Sequence, residues 1–189
     1  FKQKTAYEIK ECDWSSDVCS SDLIGSTELM HSIGVDETHT PMATTQMVHI
    51  AGLACVLLPG IRNAATVVVL PVFEQGLALN MIEKWSVSYM LTLPAVLRFM
   101  VEEQSLKPRK VSSMRLCFCG GDSVPVEMQE RYHQLFGHQV RELFGMTETV
   151  PVTCIPEGGQ RPGSMGPALD LIDTRVADLA GNVLPDEVK

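Results

Sequence analysis

A hydroxyl and a carboxylate stand side by side at Thr147 and Glu148, just after a predicted strand that ends at Phe144. Gly145 lets the backbone turn close to a ligand, because glycine has no Cβ. Magnesium prefers oxygen ligands and usually completes its shell with substrate phosphates, so this pair is suited to holding Mg²⁺ and phosphate oxygens. The alternative is a strand-to-loop turn in which the Thr147 hydroxyl bonds only to nearby backbone.

A second candidate segment is Gly120-Gly121-Asp122. Paired glycines allow the main chain to lie flat against a planar or anionic group, and the start of the helix that follows favours negative charge. The simpler interpretation is a tight strand-to-helix turn in which Asp122 or Ser123 caps the helix.

Two further residues carry weaker signals. Arg161 opens a loop rich in glycine and proline, RPGSMG, from which a guanidinium could reach a carboxylate or a phosphate. His49 lies at a predicted helix start, ahead of the small pair Ala51-Gly52. The alternatives are a plain turn for the loop and a structural histidine at position 49.

The elements that must position these residues alternate between strands and helices. β-branched and apolar runs predict strands at 66–70, 86–91, 115–119 and 139–144. Helical spacing predicts helices at 47–58 (ending near Pro59-Gly60), at 74–85, from Pro94 onward, and from Asp122 or Ser123 to Gly137, with Pro125 in the first turn. Residues 24–45 are assigned to no element.

This alternation predicts an α/β fold with a parallel sheet flanked by helices. Right-handed crossovers then place every strand's carboxyl end on one edge of the sheet, where ligands bind in such folds. Both glycine-containing segments, 120–122 and 145–148, follow predicted strands. We therefore expect them at the same rim.

Composition narrows the class of protein. The 189 residues carry a formal net charge of −8, which gives no long-range attraction to nucleic acid or to anionic membranes. The longest apolar stretch, Ile50–Ile61, is too short for a bilayer, which needs about 20 residues. Neither CxxC pairs nor Cys/His clusters have zinc-site spacing in this sequence. Buried structural thiols in a reducing, cytoplasmic compartment are expected for the four cysteines after residue 23: Cys55, Cys117, Cys119 and Cys154.

The first 23 residues resemble translated laboratory DNA. Read back into codons, residues 1–8 and 13–23 are similar to the two constant parts of a sequencing-library adapter, and residues 9–12 fall where the sample index lies. The alternative is a genuine segment rich in Ser and Asp. We expect 1–23 to be an unstructured artefact and the folded domain to begin at residue 24.

Five segments in the same order and spacing resemble the adenylate-forming (AMP-binding) superfamily, which includes acyl-CoA synthetases, adenylation domains and beetle luciferases. The resemblance covers about residues 41–189, and LFGMTET is similar to the family's aromatic-Gly-x-Thr-Glu signature. It implies that 24–189 is part of the large N-terminal domain of such an enzyme. The five segments are MVHIAGL (47–53), residues 73–97, MRLCFCGGDSVP (114–125), QVRELFGMTET (139–149) and RPGSMGPAL (161–169).

The resemblance also implies roles for individual residues. Gly120, Gly121 and Asp122 would line one face of the adenine of ATP. Phe144 would stack on the other face, in a position where most relatives have tyrosine. Thr147 would contact the phosphates and Glu148 would bind Mg²⁺.

The remaining implied roles concern the acid and the acceptor. Gly145 and Met146 would line the acyl pocket near the reacting carboxylate, and His49 would gate the acyl and thiol path. The implied reaction forms an acyl-adenylate from a carboxylic acid and ATP, and coenzyme A then displaces AMP.

Departures from the family pattern lead us to expect an internal fragment that is inactive by itself. We find no Lys-bearing Ser/Thr/Gly-rich phosphate loop, no ribose-binding Asp segment and no small domain with a catalytic lysine in the printed sequence. Two alternatives stay open: an adenylation domain that loads a carrier protein, and a non-catalytic α/β nucleotide-binding module. Apolar residues such as Met146 favour a hydrophobic acyl chain, and the oligomeric state stays open.

Overall fold

Strands and helices alternate through most of the chain in the computed structural model, which describes residues 25–147, 149–159, 161, 163–170 and 172–184. The strands are β1 (Pro41–Ala43), β2 (Val68–Val69), β3 (Tyr89–Thr92), β4 (Leu116–Cys119), β5 (Val140–Met146) and β6 (Thr149–Cys154). The helices are α1 (helical residues 25–32), α2 (Ile50–Gly52, then Leu53–Leu57 in π form, then Leu58–Arg62), α3 (Gln75–Trp85), α4 (Pro94–Leu106) and α5 (Val126–Phe136). The proposed artefact, 1–23, lies outside the described residues and stays a prediction.

One sheet holds the six strands in the order β2-β1-β3-β4-β5-β6. All neighbours are parallel except β5 and β6, which are antiparallel. The predicted fold class, a parallel sheet flanked by helices, is confirmed.

Two strands are absent from the predicted set. β1 has only three residues, all buried, so it shows no periodicity, yet it separates β2 from β3. β6 contains Pro151, and a proline within an apolar run argues against a strand in sequence reasoning. Both strands are defined by their neighbours in the sheet rather than by local pattern.

Each face of the sheet has its own hydrophobic core. Successive strand residues point to opposite faces, so Cys117 and Cys119 pack with α3, α4 and α5, whereas Phe118 packs with α1 and α2. The expectation that the two cysteines share a face is confirmed. Cys55, Cys117, Cys119 and Cys154 are free and buried, and burial raises the pKa of Cys55 and of Cys117 to about 12. These thiols are structural.

The prediction that the second helix ends near Pro59-Gly60 is wrong, because α2 continues to Arg62. Pro59 has no N–H to donate to the carbonyl of Cys55, four residues earlier. The buried hydroxyl of Tyr89, on β3, donates to that carbonyl instead. The π turn over Leu53–Leu57 runs directly into the final α-helical segment, Leu58–Arg62, which contains the proline.

Replacing Tyr89 with phenylalanine removes this donor and leaves the ring in place. We expect the free energy of unfolding in urea to fall by about 1–3 kcal/mol, the usual cost of depriving a buried polar group of its partner. The control is Ser32→Ala, because the exposed Ser32 hydroxyl also donates to a carbonyl, that of Leu29, at 2.7 Å, where water is available to replace it. Equal losses in the two variants would contradict this account of α2.

A histidine just after α5, His138, has a lowered pKa, mainly because it is buried. Nδ1 of His138 lies 3.2 Å from the carbonyl oxygen of Phe136 and must donate to it, so Nε2 accepts from the Tyr132 hydroxyl at 2.9 Å. Burial, and to a lesser extent the charge of His133, lowers the pKa of His138, whereas the bond to Phe136 raises it. The net direction is down.

This depressed pKa predicts a pH dependence of stability. Below about pH 6.5 the unfolded chain binds a proton at His138 that the folded chain resists, so stability is complete above that pH and falls as the pH drops toward the lower folded pKa. We expect the free energy of unfolding to be lower at pH 5 than at pH 7, and the difference to shrink in His138→Gln. The variant Ser32→Ala, which alters no titratable group, should keep the pH difference of the unaltered chain. An unchanged pH profile in His138→Gln would contradict the prediction.

Candidate functional site

A cleft of about 370 Å³ opens at the carboxyl ends of the parallel strands. The segments that follow β1, β3 and β4, together with the end of β5, form its walls. Most of its side chains are apolar, and His49 and Thr147 add an imidazole and a hydroxyl. The lining residues are His49, Ile50, Ala51, Leu91, Leu93, Gly120, Gly121, Leu143, Gly145, Met146 and Thr147.

Parallel pairing of β4 with β5 brings the two glycine-containing segments together. Cys119 is the register partner of Glu142, so Gly120 emerges beside Leu143. A Cβ at Gly120 would lie 2.9 Å from the Leu143 carbonyl oxygen, closer than real Cβ atoms come. Gly121 follows with a φ of +86°, which favours glycine. The two segments lie at one rim, as the alternation of elements predicts.

The turn between β4 and α5 differs from its predicted form. Asp122 accepts a hydrogen bond from the Ser123 backbone N–H at 2.8 Å, and neither residue caps α5. Pro125 is the N-cap of α5. Helical geometry is disfavoured for the residue that precedes a proline, so α5 does not begin before Pro125. Asp122 is exposed and does not line the cleft, so its predicted contact with adenine stays a prediction.

The segment after Leu143 forms a hairpin rather than a loop. β5 continues two residues past its predicted end to Met146, with a register irregularity between Phe144 and Met146, and Met146 pairs with Thr149 of β6. The Phe144 ring is 43% exposed and does not line the cleft, whereas both its neighbours do. Thr147 lies exposed in the turn, and Glu148 lies outside the described residues.

His49 makes a structural contact and also lines the cleft, and its role as a gate stays a prediction. Its Nδ1 accepts a hydrogen bond from the Ala51 backbone N–H at 3.2 Å, so the ring caps α2. It also lines the cleft, together with Ile50 and Ala51 at the start of that helix. The small residue Gly52 is required by packing, since a Cβ there would lie 2.7 Å from the carbonyl oxygen of Gln46.

The loop that contains Arg161 lies against β6 and not at the cleft. The Thr153 hydroxyl donates to the Met165 carbonyl at 2.7 Å, and the Cys154 N–H donates to the Pro167 carbonyl at 3.2 Å. Arg161 is exposed and is not among the residues that line the cleft. The hydrogen bonds between this loop and β6 therefore support its interpretation as a plain turn.

Sequence reasoning missed one polar residue near the rim, Glu142, which is only 3% exposed. Its only signal in the sequence is a carboxylate inside a predicted strand, next to the apolar Leu143 and Phe144. Within the part of the chain that the structure describes, no group of three His, Cys, Asp or Glu side chains is placed to hold a metal ion. Within that same part, no helix has the length and apolarity needed to cross a bilayer.

The sheet and its rim cleft define an α/β domain of the type found in solved CoA ligases. A benzoate CoA ligase from Burkholderia xenovorans LB400 matches with a TM-score of 0.79 at 20% identity, over 89% of this chain and 35% of that one. O-succinylbenzoate coenzyme A synthetase from Bacillus subtilis, in complex with ATP and magnesium ion, matches with a TM-score of 0.78 at 22% identity, over 89% and 35%. At these identities the likeness concerns the fold.

The chain belongs to the AMP-binding enzyme family, whose model matches residues 18–189. The match begins inside the segment 1–23 that the sequence sets apart. Human acyl-coenzyme A synthetase ACSM5, mitochondrial, is 31% identical over 117 residues, which are 61% of this chain and 20% of that protein. Feruloyl-CoA synthase from Amycolatopsis is 26% identical over 147 residues, or 76% of this chain and 30% of that protein. The chain thus spans about a fifth to a third of the lengths of these relatives.

Proposed function

We propose that this chain forms the nucleotide- and acyl-binding rim of an ATP-dependent acid–CoA ligase. One observation carries the proposal: Gly120-Gly121 and Gly145-Met146-Thr147 line a single cleft at the carboxyl rim. Membership of the AMP-binding enzyme family and similarity to acyl-CoA synthetases support the class of reaction.

In the proposed reaction a carboxylate oxygen of the acid attacks the α-phosphorus of MgATP, and pyrophosphate leaves. The thiol sulfur of coenzyme A then attacks the acyl carbon, the thiol loses its proton, and AMP leaves. Such transfers depend on positioning and on neutralising charge. The backbone of Gly120 and Gly121 is proposed to lie along adenine, and the exposed Phe144 ring to stack on it.

Magnesium enters this scheme as part of the MgATP substrate. It keeps several waters and needs only one or two protein carboxylates beside substrate phosphates, so the rim does not require a cluster of three ligands. Thr147 is proposed to contact the phosphates and Glu148, outside the described residues, to contact Mg²⁺. His49 is proposed to lie on the acyl and thiol path, and the support is that it lines the cleft.

The acid is proposed to carry an apolar chain, because Ile50, Leu91, Leu93, Leu143 and Met146 line the cleft. A cytoplasmic location is proposed as well, and the four free, buried thiols are consistent with a reducing compartment.

The test uses an unreactive acyl-adenylate analogue, a hexanoyl sulfamoyl adenosine, added to the ¹⁵N-labelled 189-residue chain. We expect changes in amide chemical shift at Gly120, Gly121 and Gly145. We expect none at Gly137 and Gly158, which lie at the opposite rim, near the amino end of β4. A succinyl analogue, which carries a second carboxylate, should bind more weakly than the hexanoyl compound. Binding without changes at the rim glycines would contradict the proposed site.

We also propose that the isolated chain does not complete the reaction. The support is that it spans 20% of the length of the human relative, and that the phosphate-loop and ribose-binding segments implied by the family resemblance are not found in the printed sequence. Carboxylate-dependent exchange of labelled pyrophosphate into ATP is the measurement. Appreciable exchange by the purified chain would contradict this part of the proposal.

A further inference from the structure

The buried carboxyl group of Glu142 links β5 to the 120–125 turn, which is not hydrogen-bonded to β5 by regular strand pairing. The register of β4 with β5 ends at the pair Cys119 and Glu142. Beyond it the chain after β4 turns away into residues 120–125, so regular strand pairing no longer holds that segment to β5. The Gly120 N–H donates to the Thr92 carbonyl at 3.2 Å, which ties the segment to β3 instead.

Both carboxylate oxygens of Glu142 accept hydrogen bonds, one from the end of that turn and one from α5. Oε1 accepts from the Val124 backbone N–H at 2.7 Å, and Oε2 accepts from Nε2 of Gln129 at 3.1 Å. The same Gln129 nitrogen donates to the Val124 carbonyl at 3.0 Å. Together the three residues form a closed set of bonds that fixes the end of the 120–125 turn and the start of α5.

The carboxyl group therefore serves as a clamp across the rim. Glu142 lies two residues before Phe144 on β5, and Val124 lies two residues after Asp122 on the turn. A buried acidic group is costly unless it is hydrogen-bonded, and Glu142 has no ion pair among the salt bridges of the described residues. Its neutral donors come from the turn and from the first helical turn of α5, so the bonds that satisfy it are also the bonds that hold the turn.

We infer that Glu142 is a positioning residue for the nucleotide site: it sets the spacing between the 120–122 backbone and the Phe144–Thr147 hairpin. This inference rests on the proposed function for its ligand, AMP. The positioning itself rests on the bonds to Val124 and Gln129 alone. Glu142 does not line the cleft and is assigned no contact with substrate.

The experiment compares the unaltered 189-residue chain with Glu142→Gln and Glu142→Ala. Glutamine keeps an acceptor for Val124 but turns an amide nitrogen toward that of Gln129, whereas alanine removes both bonds. The matched control is Gln104→Ala. Gln104 is also buried and also clamps a loop through two bonds, to the backbone N–H and carbonyl of Arg109, but it lies on α4 and does not line the cleft.

Two measurements are made on each variant, well below its unfolding temperature: amide hydrogen exchange at Val124, and the dissociation constant of AMP by titration calorimetry. In Glu142→Ala we expect exchange at Val124 to be faster by about tenfold or more, and AMP binding to weaken about tenfold, from the loss of a buried hydrogen-bond acceptor. Glu142→Gln should fall between alanine and the unaltered chain. Gln104→Ala should lower the unfolding temperature without changing either quantity.

Unchanged exchange at Val124 in Glu142→Ala would overturn the positioning role. Weakened AMP binding in Gln104→Ala to the same degree would also overturn it, because the loss would then follow from general destabilisation. An unaltered chain that binds no AMP would contradict the proposed function, and the exchange measurement, which needs no ligand, would then decide the positioning role by itself.

Discussion

Gly166→Ala should lower the free energy of unfolding by about 3–5 kcal/mol, since it combines backbone strain with an overpacked contact. Gly166 has a φ of +81°, and a Cβ there would lie 2.2 Å from the carbonyl oxygen of Cys154 and 2.4 Å from the nitrogen of Ile155. Both are backbone atoms at the end of β6, so no side-chain rotation relieves the clash. The loop would have to leave the strand.

Gly163→Ala is the matched control in the same loop. Gly163 has a φ of +78°, but a Cβ there would meet nothing within 4 Å. Only the left-handed backbone is penalised, by about 1–2 kcal/mol. Urea unfolding of the two variants measures the difference, which isolates the clash with β6. Equal losses would show that the loop does not lie against β6 as described.

Gly120→Ala has the second largest expected effect, because it acts on both stability and the proposed site. The new Cβ would lie 2.9 Å from the carbonyl oxygen of Leu143 and 2.9 Å from its Cδ1, on the neighbouring strand β5, and both residues line the cleft. We expect a loss of about 1–3 kcal/mol in unfolding free energy, as for overpacking, and affinity for the hexanoyl adenylate analogue reduced by about tenfold or more.

Gly137→Ala separates these two effects. Gly137 ends α5 with a φ of +82°, and a Cβ there would meet nothing within 4 Å. We expect a comparable loss of stability from strain, about 1–2 kcal/mol, with unchanged affinity for the analogue, since Gly137 does not line the cleft. Calorimetry and urea unfolding measure the two quantities. If Gly120→Ala bound the analogue as the unaltered chain does, the proposed adenine contact of that backbone would be wrong.

The juxtaposition at the rim was predictable because it needs only local periodicity and one rule of chain handedness. The runs at 86–91 and 115–119 have strand character by themselves, and the helices between strands have their own apolar stripes. Parallel strands joined by right-handed crossovers end on one edge. The segments 120–122 and 145–148 were therefore expected at one rim, and five of their residues line one cleft there: Gly120, Gly121, Gly145, Met146 and Thr147.

The strands β1 and β6 could not be predicted in this way. β1 has three residues and lies between two parallel neighbours, so the bonds that define it come from β2 and β3. Pro59 is a similar case. Its missing N–H predicts the end of a helix. The hydroxyl of Tyr89 donates instead to the carbonyl of Cys55, 34 residues earlier in the chain, and the helix continues.

The sequence by itself determined the class of fold, the order of β3, α4, β4, α5 and β5, and the meeting of two glycine-containing segments at one rim. Each follows from the spacing of apolar residues along a short stretch of chain. Only the tertiary structure decided that Glu142 clamps the turn and that Gly166 must lie against β6. Those outcomes depend on hydrogen-bond partners and close contacts between residues far apart in the chain, which no local pattern encodes.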